Sequence, residues 1–475
     1  MRKNFLEIII FLALLPIIFL SIYLIGNFTL LGFGGVALAA AGLAFFVFVL
    51  KNPFLGLCLV VLTLPFERIP TIDIGLFTLK FDQIFAGITI AAWLFNLLSG
   101  REKLHRFPIG IPIAAFLIIG LVSLVYAVDF SRAISVYIFI TFMIVVGYLT
   151  DNLIDTREKL IKTVKLFFII ALIVCGFGVF QFLGDIAGLP NAVTGLKDIY
   201  TKIVLGFPRI QAFSMEPLFL ANYLFIPLGL AVGLYIFRSK EIISGNRLIS
   251  LIVLITLIII LGVSRGALIA LGFFALFFVL FFSKKVISTK NILIFLASFF
   301  IIGASAFLFL KISNPGAIDK FLSHIQIEDF ETGESVQKRL ADYQIAYDYW
   351  QESPWIGIGP GNYGPKYKNY PAHDEVAGWE TANNQYLEVM AEFGILGLMF
   401  FMVAVIITLA RSVASYYKTQ DNTLKGILVG LTAALIAVLV QYNFFSTLYI
   451  MHVWFLIGML IAVQNLCIQN NKSGR

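Results

Sequence analysis

Charge is scarce in this 475-residue sequence: Lys, Arg, Asp and Glu make up 13% of it, against 60% apolar residues. A soluble domain carries about 25% charged and about 45–50% apolar residues. A water-exposed globule is therefore excluded, and the 48 phenylalanines would leave such a globule no surface to hydrate. Cysteine is also rare. Of the three, Cys58 and Cys175 lie in apolar runs and Cys467 in the C-terminal tail, so no disulfide framework is implied. Histidine occurs four times and with no zinc-ligand spacing. The net charge of +7 comes without a basic stripe, which excludes nucleic acid as a partner. Membrane proteins gather Lys and Arg on cytoplasmic loops, and that accounts for the excess.

What the chain has instead is long apolar runs, at a mean hydropathy of +0.94. A helical span needs about 20 apolar residues. Runs of that kind fall at 5–24, 28–50, 52–66, 82–98, 108–126, 132–150, 161–184, 217–237, 247–263, 266–283, 291–312, 389–411, 425–443 and 446–465. Met1-Arg2-Lys3 followed by apolar residues resembles a signal peptide, but the run exceeds the roughly 7–15 residues of such a core, and the reading is a first span. The fold class expected is an all-α polytopic membrane protein of about 12–14 spans. It divides into N-terminal spans (1–184), a central region (185–312) with an outer loop at 185–216 and a turn at 264–266, one large extracytoplasmic loop with short helices (313–388), and C-terminal spans with a tail (389–475). Placing both termini in the cytoplasm puts most of the Lys and Arg, such as Arg101, Lys103, Arg106, Arg157 and Lys159, in short inner loops. The expected location is the bacterial cytoplasmic membrane, with segments 185–216 and 313–388 outside.

Span interiors hold almost no ionisable groups; Asp82, Arg209, Glu216, Arg265, Glu388 and Glu392 fall at predicted outer ends. Ion-coupled carriers place such groups at mid-membrane, so chemistry or recognition is expected at the outer surface. Arg265, in a Ser-Arg-Gly turn, reads either as an interfacial anchor or as a fixed cation for a phosphate or diphosphate. Arg209 lies just ahead of a span, and Met215-Glu216-Pro217 reads as the start of that span's helix. In the large loop, Val336, Leu340, Tyr343, Tyr347 and Trp350 recur at helical steps as one apolar face, with Arg339 beside it and Pro354 as the stop. Next comes Trp355-Ile-Gly-Ile-Gly-Pro-Gly-Asn-Tyr-Gly364. It lacks the Gly-Lys-Ser/Thr of a P-loop, so its glycines are expected to permit a tight turn and close backbone approach. Tyr363, Tyr367, Tyr370, Trp379 and Tyr386, interleaved with His373, Glu380, Asn383 and Asn384, suit either a headgroup-level aromatic belt or a sugar-binding surface.

Together these residues resemble the O-antigen ligase and O-antigen polymerase superfamily of multispan glycosyltransferases. The likeness rests on Arg209-Ile-Gln-Ala-Phe213, Ser264-Arg265-Gly266-Ala267, the loop residues Arg339, Trp350 and Gly357-Ile-Gly-Pro-Gly-Asn-Tyr363, and Asn384-Gln-Tyr-Leu-Glu-Val-Met-Ala-Glu-Phe-Gly394. It implies transfer of a glycan from a polyprenyl diphosphate to a hydroxyl of a glycan or lipid acceptor, outside the membrane and without nucleotide, metal or other cofactor. By that analogy Arg209 and Arg265 receive the charge of the leaving diphosphate. Ligases of the superfamily typically carry His immediately before the Asn of the last motif, where this chain has Asn383. His373 or Glu380 then stands in as the proton acceptor, or Asn383 orients the acceptor. The candidate catalytic set is Arg209, Arg265, His373, Glu380 and Asn383, with Glu216, Arg339, Tyr363, Trp379, Asn384 and Tyr386 expected to line the substrate. The departure at Asn383 tilts the expectation toward a polymerase of O-antigen, capsule or exopolysaccharide. A flippase or transporter of a lipid-linked sugar is the alternative from another class.

Overall fold

The computed structural model describes residues 42, 46–68, 71–73, 78–102, 104–286, 334–367, 380–446 and 448–473. Spans expected at 5–24 and 291–312, and most of 28–50, lie outside them. Within them every expected span is a helix: α1 (Pro53–Thr63), α2 (Phe81–Leu98), α3 (Gly110–Ser123), α4 (Phe130–Leu153), α5 (Arg157–Ile186), α6 (Pro217–Ile236), α7 (Gly245–Leu261) and α8 (Arg265–Val286). After α9 (Glu334–Glu352) come α10 (Gln385–Lys418), α11 (Asn422–Gln441) and α12 (Met451–Ser473). Eight helices among the described residues are long and apolar enough to cross a bilayer. The protein is an all-α polytopic membrane protein; a short hairpin pairs Thr71–Asp73 with Thr78–Lys80 ahead of α2.

By packing, the chain forms two units, 1–57 with 84–103 and 58–83 with 104–475. In the first, Val49, Leu50 and Ala92 are buried together, and Asn96 Nδ2 donates to the Leu50 carbonyl at 2.8 Å. The second contains every candidate site residue. At its centre are α6, α11 and α12, whose apolar windows are 78%, 78% and 83% buried, whereas that of α8 is 28% buried. Apolar side chains such as Ile111 (82% exposed), Ile138 and Phe281 point outward. That inversion suits hydrocarbon as the solvent.

Small residues decide how closely the central helices approach. Gly229 and Gly233 on α6 face Gly426 and Gly430 on α11; a Cβ on Gly229 would stand 2.2 Å from the Gly430 carbonyl oxygen, and one on Gly430 2.1 Å from that of Gly229. Two small-xxx-small motifs thus face each other, and between apolar helices such backbone contact takes the place of a hydrophobic driving force. Gly430→Leu is expected to force α6 and α11 apart and cost about 2–4 kcal/mol, read as a lowered thermal midpoint of the purified protein in detergent.

The connecting segments of the second unit sort to two ends. At one, the Ile210 N–H donates to Leu261 O (3.3 Å), Gln385 N–H to Tyr442 O (2.7 Å) and Asp129 N–H to Asn362 Oδ1 (2.8 Å). At the other, Arg157 clamps Glu241 (Nη1–Oε1, 2.5 Å) and Asp421 (Nε–Oδ2, 2.8 Å), and His105 N–H donates to Asn152 Oδ1 (2.9 Å).

Candidate active site

Arg209 sits on the loop between α5 and α6, and that loop is fixed at successive residues. Its own N–H donates to Tyr200 O at 2.8 Å. Ala212, at φ 46°, is held by Gln181 of α5, whose Oε1 accepts the Ala212 N–H at 2.8 Å while its Nε2 donates to the Thr194 carbonyl at 3.1 Å. The Phe213 ring stacks on Phe177 with centroids 4.4 Å apart. Pinned in this way, the Arg209 guanidinium lies 5.3 Å from the centroid of the Tyr200 ring, and its Nε donates to the Gly262 carbonyl at 3.4 Å. Gly262 belongs to the α7–α8 turn, and Arg265 is the first residue of α8. The Arg209 loop therefore lies against the turn that leads into Arg265, near enough for Arg265 to act on the Arg209 charge.

Their electrostatics follow. Burial lowers the Arg209 pKa below the usual arginine value; Tyr200 and Glu216 draw it back up, and Arg265 pushes it further down. The Arg209 guanidinium still keeps its charge in a protein. Arg209 thus feels a like charge from Arg265 and an opposite one from Glu216 in a half-buried setting. The free N–H groups and dipole of the first turn of α8 add positive potential at Arg265. Burial and the Glu216 carboxylate push the Tyr200 phenol up to about 12, so it remains neutral. Glu216 occupies the N-cap position of α6 and is exposed, but its side chain makes no capping hydrogen bond.

The α9–α10 segment reaches the same place through the α11–α12 turn. Gln385 N–H donates to Tyr442 O at 2.7 Å, and Tyr343 Oη on α9 donates to Asn443 O at 2.8 Å. Phe444 packs on the other flank of the turn, its Cβ 2.9 Å from where a Cβ on Gly266 would lie. Arg265 and the Asn383–Gln385 segment therefore flank one turn. Arg339 is half-buried one helical turn before Tyr343. The apolar face of α9 needs correction, however. Its buried stripe is Asp342, Ile345, Ala346 and Tyr349, while Leu340 (53%) and Tyr347 (43%) are exposed. Sequence spacing alone could not tell two adjacent aromatic-rich stripes apart, and the one carrying Tyr349 packs with Tyr363 and Ala391.

The glycine-rich stretch is a docking device, as its composition suggested. At Gly394 (φ 68°) helix α10 breaks, and the irregular stretch after α9 crosses the break. Ile358 N–H donates to Ala391 O (2.9 Å), Gly359 N–H to Glu392 O (3.0 Å) and Ile395 N–H to Pro354 O (2.9 Å). The Glu392 carboxylate accepts the N–H groups of Gly361 (2.8 Å) and Tyr363 (3.1 Å), while Glu388 accepts that of Ala382 (3.0 Å). These two glutamates organise the loop rather than face open water.

Among the other sequence-predicted residues, Asn383 adopts φ 50° and donates from Nδ2 to Asp342 Oδ2 at 3.0 Å. Glu380 keeps a buried carboxylate oxygen, Oε2, without a hydrogen bond. Asn384 caps α10, its Oδ1 accepting from Tyr386 N–H (3.0 Å) and Leu387 N–H (3.2 Å). Tyr386 Oη donates to the Leu439 carbonyl at 2.7 Å. Tyr363 is 1% exposed with its hydroxyl on the Asp342 carbonyl at 2.9 Å, so its ring serves packing and not a substrate-lining surface. His373 and Trp379 lie outside the described residues. Three of the four non-glycine residues at positive φ among those described, Ala212, Val263 and Asn383, sit in the segments that meet here. Strain of that kind persists where surrounding structure imposes it, and active sites are frequent hosts.

Residues 250–402 match the family model Wzy_C, O-antigen ligase. The match supports the O-antigen ligase/polymerase superfamily, and with it a ligase/polymerase-type function in glycan assembly. It spans Arg265, Arg339, the glycine-rich stretch, Asn383 and the first half of α10, and leaves Arg209 outside. No curated protein matches the chain. Sequence reasoning passed over Tyr200, Asp342 and the pair Glu67 and His452. His452 stood as a lone ionisable residue in an apolar run, a signal that by itself points to function in a membrane span.

Proposed function

We propose that the protein transfers a glycan from a polyprenyl diphosphate to a hydroxyl acceptor at the extracytoplasmic side of the bacterial cytoplasmic membrane, with both termini inside. The juxtaposition of Arg209 and Arg265 carries this reading. The acceptor oxygen attacks the anomeric carbon, the bond from that carbon to the diphosphate oxygen breaks, and the lipid diphosphate leaves with the added charge. Two preplaced guanidiniums and the N-terminus of α8 stabilise that charge as it develops. They need no reorganisation at the moment of reaction, and the chemistry needs no nucleotide or metal. Arg339 approaches the same anion from the external helix.

Loss of the acceptor's hydroxyl proton needs a base. Asn383 cannot supply one, and with its amide held by Asp342 it orients the acceptor. Glu380, three residues earlier and with one carboxylate oxygen uncommitted, takes the proton. Polymerisation is favoured over ligation because the residue before Asn384 is not histidine. Purified protein given a polyprenyl-diphosphate oligosaccharide is expected to lengthen the glycan with no other acceptor present. Transfer only to a lipid A core would make it a ligase, and translocation of the intact donor without transfer would overturn the reading. Glu380→Gln is expected to lower the transfer rate by about 10²–10⁴-fold while leaving membrane insertion intact.

A further inference from the structure

A second polar cluster lies beneath the Arg209 loop. Glu67 (5% exposed) and His452 (1%) are buried with Nδ1 and Oε1 3.4 Å apart. On the far side of the ring, His452 Nε2 is 2.6 Å from Asn222 Oδ1, and Asn222 Nδ2 donates to Gln441 Oε1 at 2.7 Å. That chain fixes the tautomer: an amide oxygen only accepts, so Nε2 carries the hydrogen. A neutral ring then presents the lone pair of Nδ1 to a carboxylate oxygen. Glu67 Oε1, Oε2 and His452 Nδ1 are all buried without a closed hydrogen bond. Two acceptors facing each other away from water are stable only with a proton between them.

Glu67 is also the middle of a strap. On one side of it Phe66 packs on Phe213 at 4.6 Å; on the other Arg68 N–H donates to Phe213 O at 3.1 Å and the Arg68 side chain donates to Gly195 O. The Met215 amide lies close enough to favour charge on the Glu67 carboxylate. Phe213 and Met215 are on the loop that carries Arg209. We propose that Glu67 and His452 share one proton and, through the Phe66–Arg68 strap, act as positioning residues for Arg209. The proposal rests on the transfer reading for its effect on rate, but the strap itself is independent of it.

The charged and titratable groups facing the pair set the direction of its pH response. Lys80 at the end of the hairpin favours the Glu67 carboxylate, Asp82 in the first turn of α2 opposes it, and Tyr223 of α6 meets the His452 ring edge-on at 5.9 Å. Burial outweighs the rest and pushes the Glu67 carboxyl up to about 7. A raised carboxyl pKa means that its contribution to the folded arrangement is complete below the unfolded value and is lost as pH rises through the folded one. Deprotonation leaves a bare carboxylate against a lone pair, and the strap lifts.

Two substitutions separate this role from a merely structural one. Glu67→Gln keeps an acceptor for Met215 and offers an Nε2 donor to Nδ1, so it imitates the protonated pair at every pH. Glu67→Leu offers neither. The measurements are the hydrogen-exchange protection factors of 209–216 and the transfer rate, both followed from pH 6 to 9 on the full-length protein in nanodiscs. Wild type is expected to lose protection above about pH 7 and to lose rate toward tenfold per pH unit beyond the midpoint. Glu67→Gln should hold both constant, and Glu67→Leu should be unprotected at every pH. Wild-type protection that does not change with pH, or a Glu67→Gln profile that matches wild type, overturns the proposal. Protection that responds as expected in a protein with no transfer activity supports the strap and sinks only the transferase reading.

Discussion

Arg265→Ala is expected to reduce glycan transfer by about 10²–10³-fold while leaving expression and membrane insertion intact. The side chain is half-buried at the first position of α8, after the α7–α8 turn. What its removal takes is a charge that acts on Arg209, whose Nε is held at the Gly262 carbonyl three residues before Arg265. Arg209→Ala should have a similar effect on rate. The double variant should lose much less than the product of the two, because residues that act on one leaving group are coupled. Arg265→Lys tests the geometry further: it keeps a charge but not the planar fork that grips a diphosphate, and it is expected to recover only part of the rate. Full activity of Arg265→Ala would remove the residue from the mechanism.

The second large effect is structural. Gly357→Ala places a Cβ 2.3 Å from the Glu392 carbonyl carbon, and Gly394→Ala places one 2.3 Å from that of Trp355. Both glycines also have positive φ, 77° and 68°. Neither neighbour is a side chain that can swing away; each is backbone in a ladder of hydrogen bonds. Either substitution is expected to cost roughly 2–5 kcal/mol from steric overlap and left-handed strain combined. The loss should be local, because α10 continues beyond the break. Limited proteolysis should cut faster within 350–367 in the variants, and transfer should fall with the undocking of the α9–α10 segment. Unchanged cleavage and unchanged transfer would show that the crossing is not needed to hold that segment.

The membrane architecture is legible in the sequence because hydrocarbon imposes one rule on every span. Each must satisfy its own backbone hydrogen bonds and present apolar side chains. Length and hydropathy therefore locate α4, α5 and α6 within a few residues of their ends. The Ser-Arg-Gly turn is legible for the same reason: a guanidinium is too costly at the bilayer centre, so the break between α7 and α8 falls there. Along α9 that rule no longer applies. With water on one side and protein on the other, an aromatic stripe packs inward or faces outward according to what lies beside it, and the sequence pointed to Leu340 and Tyr347 where Tyr349 is the buried ring.

Composition and order alone determined that this chain crosses a membrane many times, and they singled out Arg209 and Arg265 as candidates. Only the tertiary structure decided that the Arg209 loop lies against the turn leading to Arg265, that Glu392 and Gly394 receive the glycine-rich stretch, and that Glu67 faces His452. The reason is separation along the chain. Glu67 and His452 come from opposite ends of the sequence and meet at 3.4 Å, a contact that no local pattern encodes, because it depends on how helices pack rather than on where they begin and end.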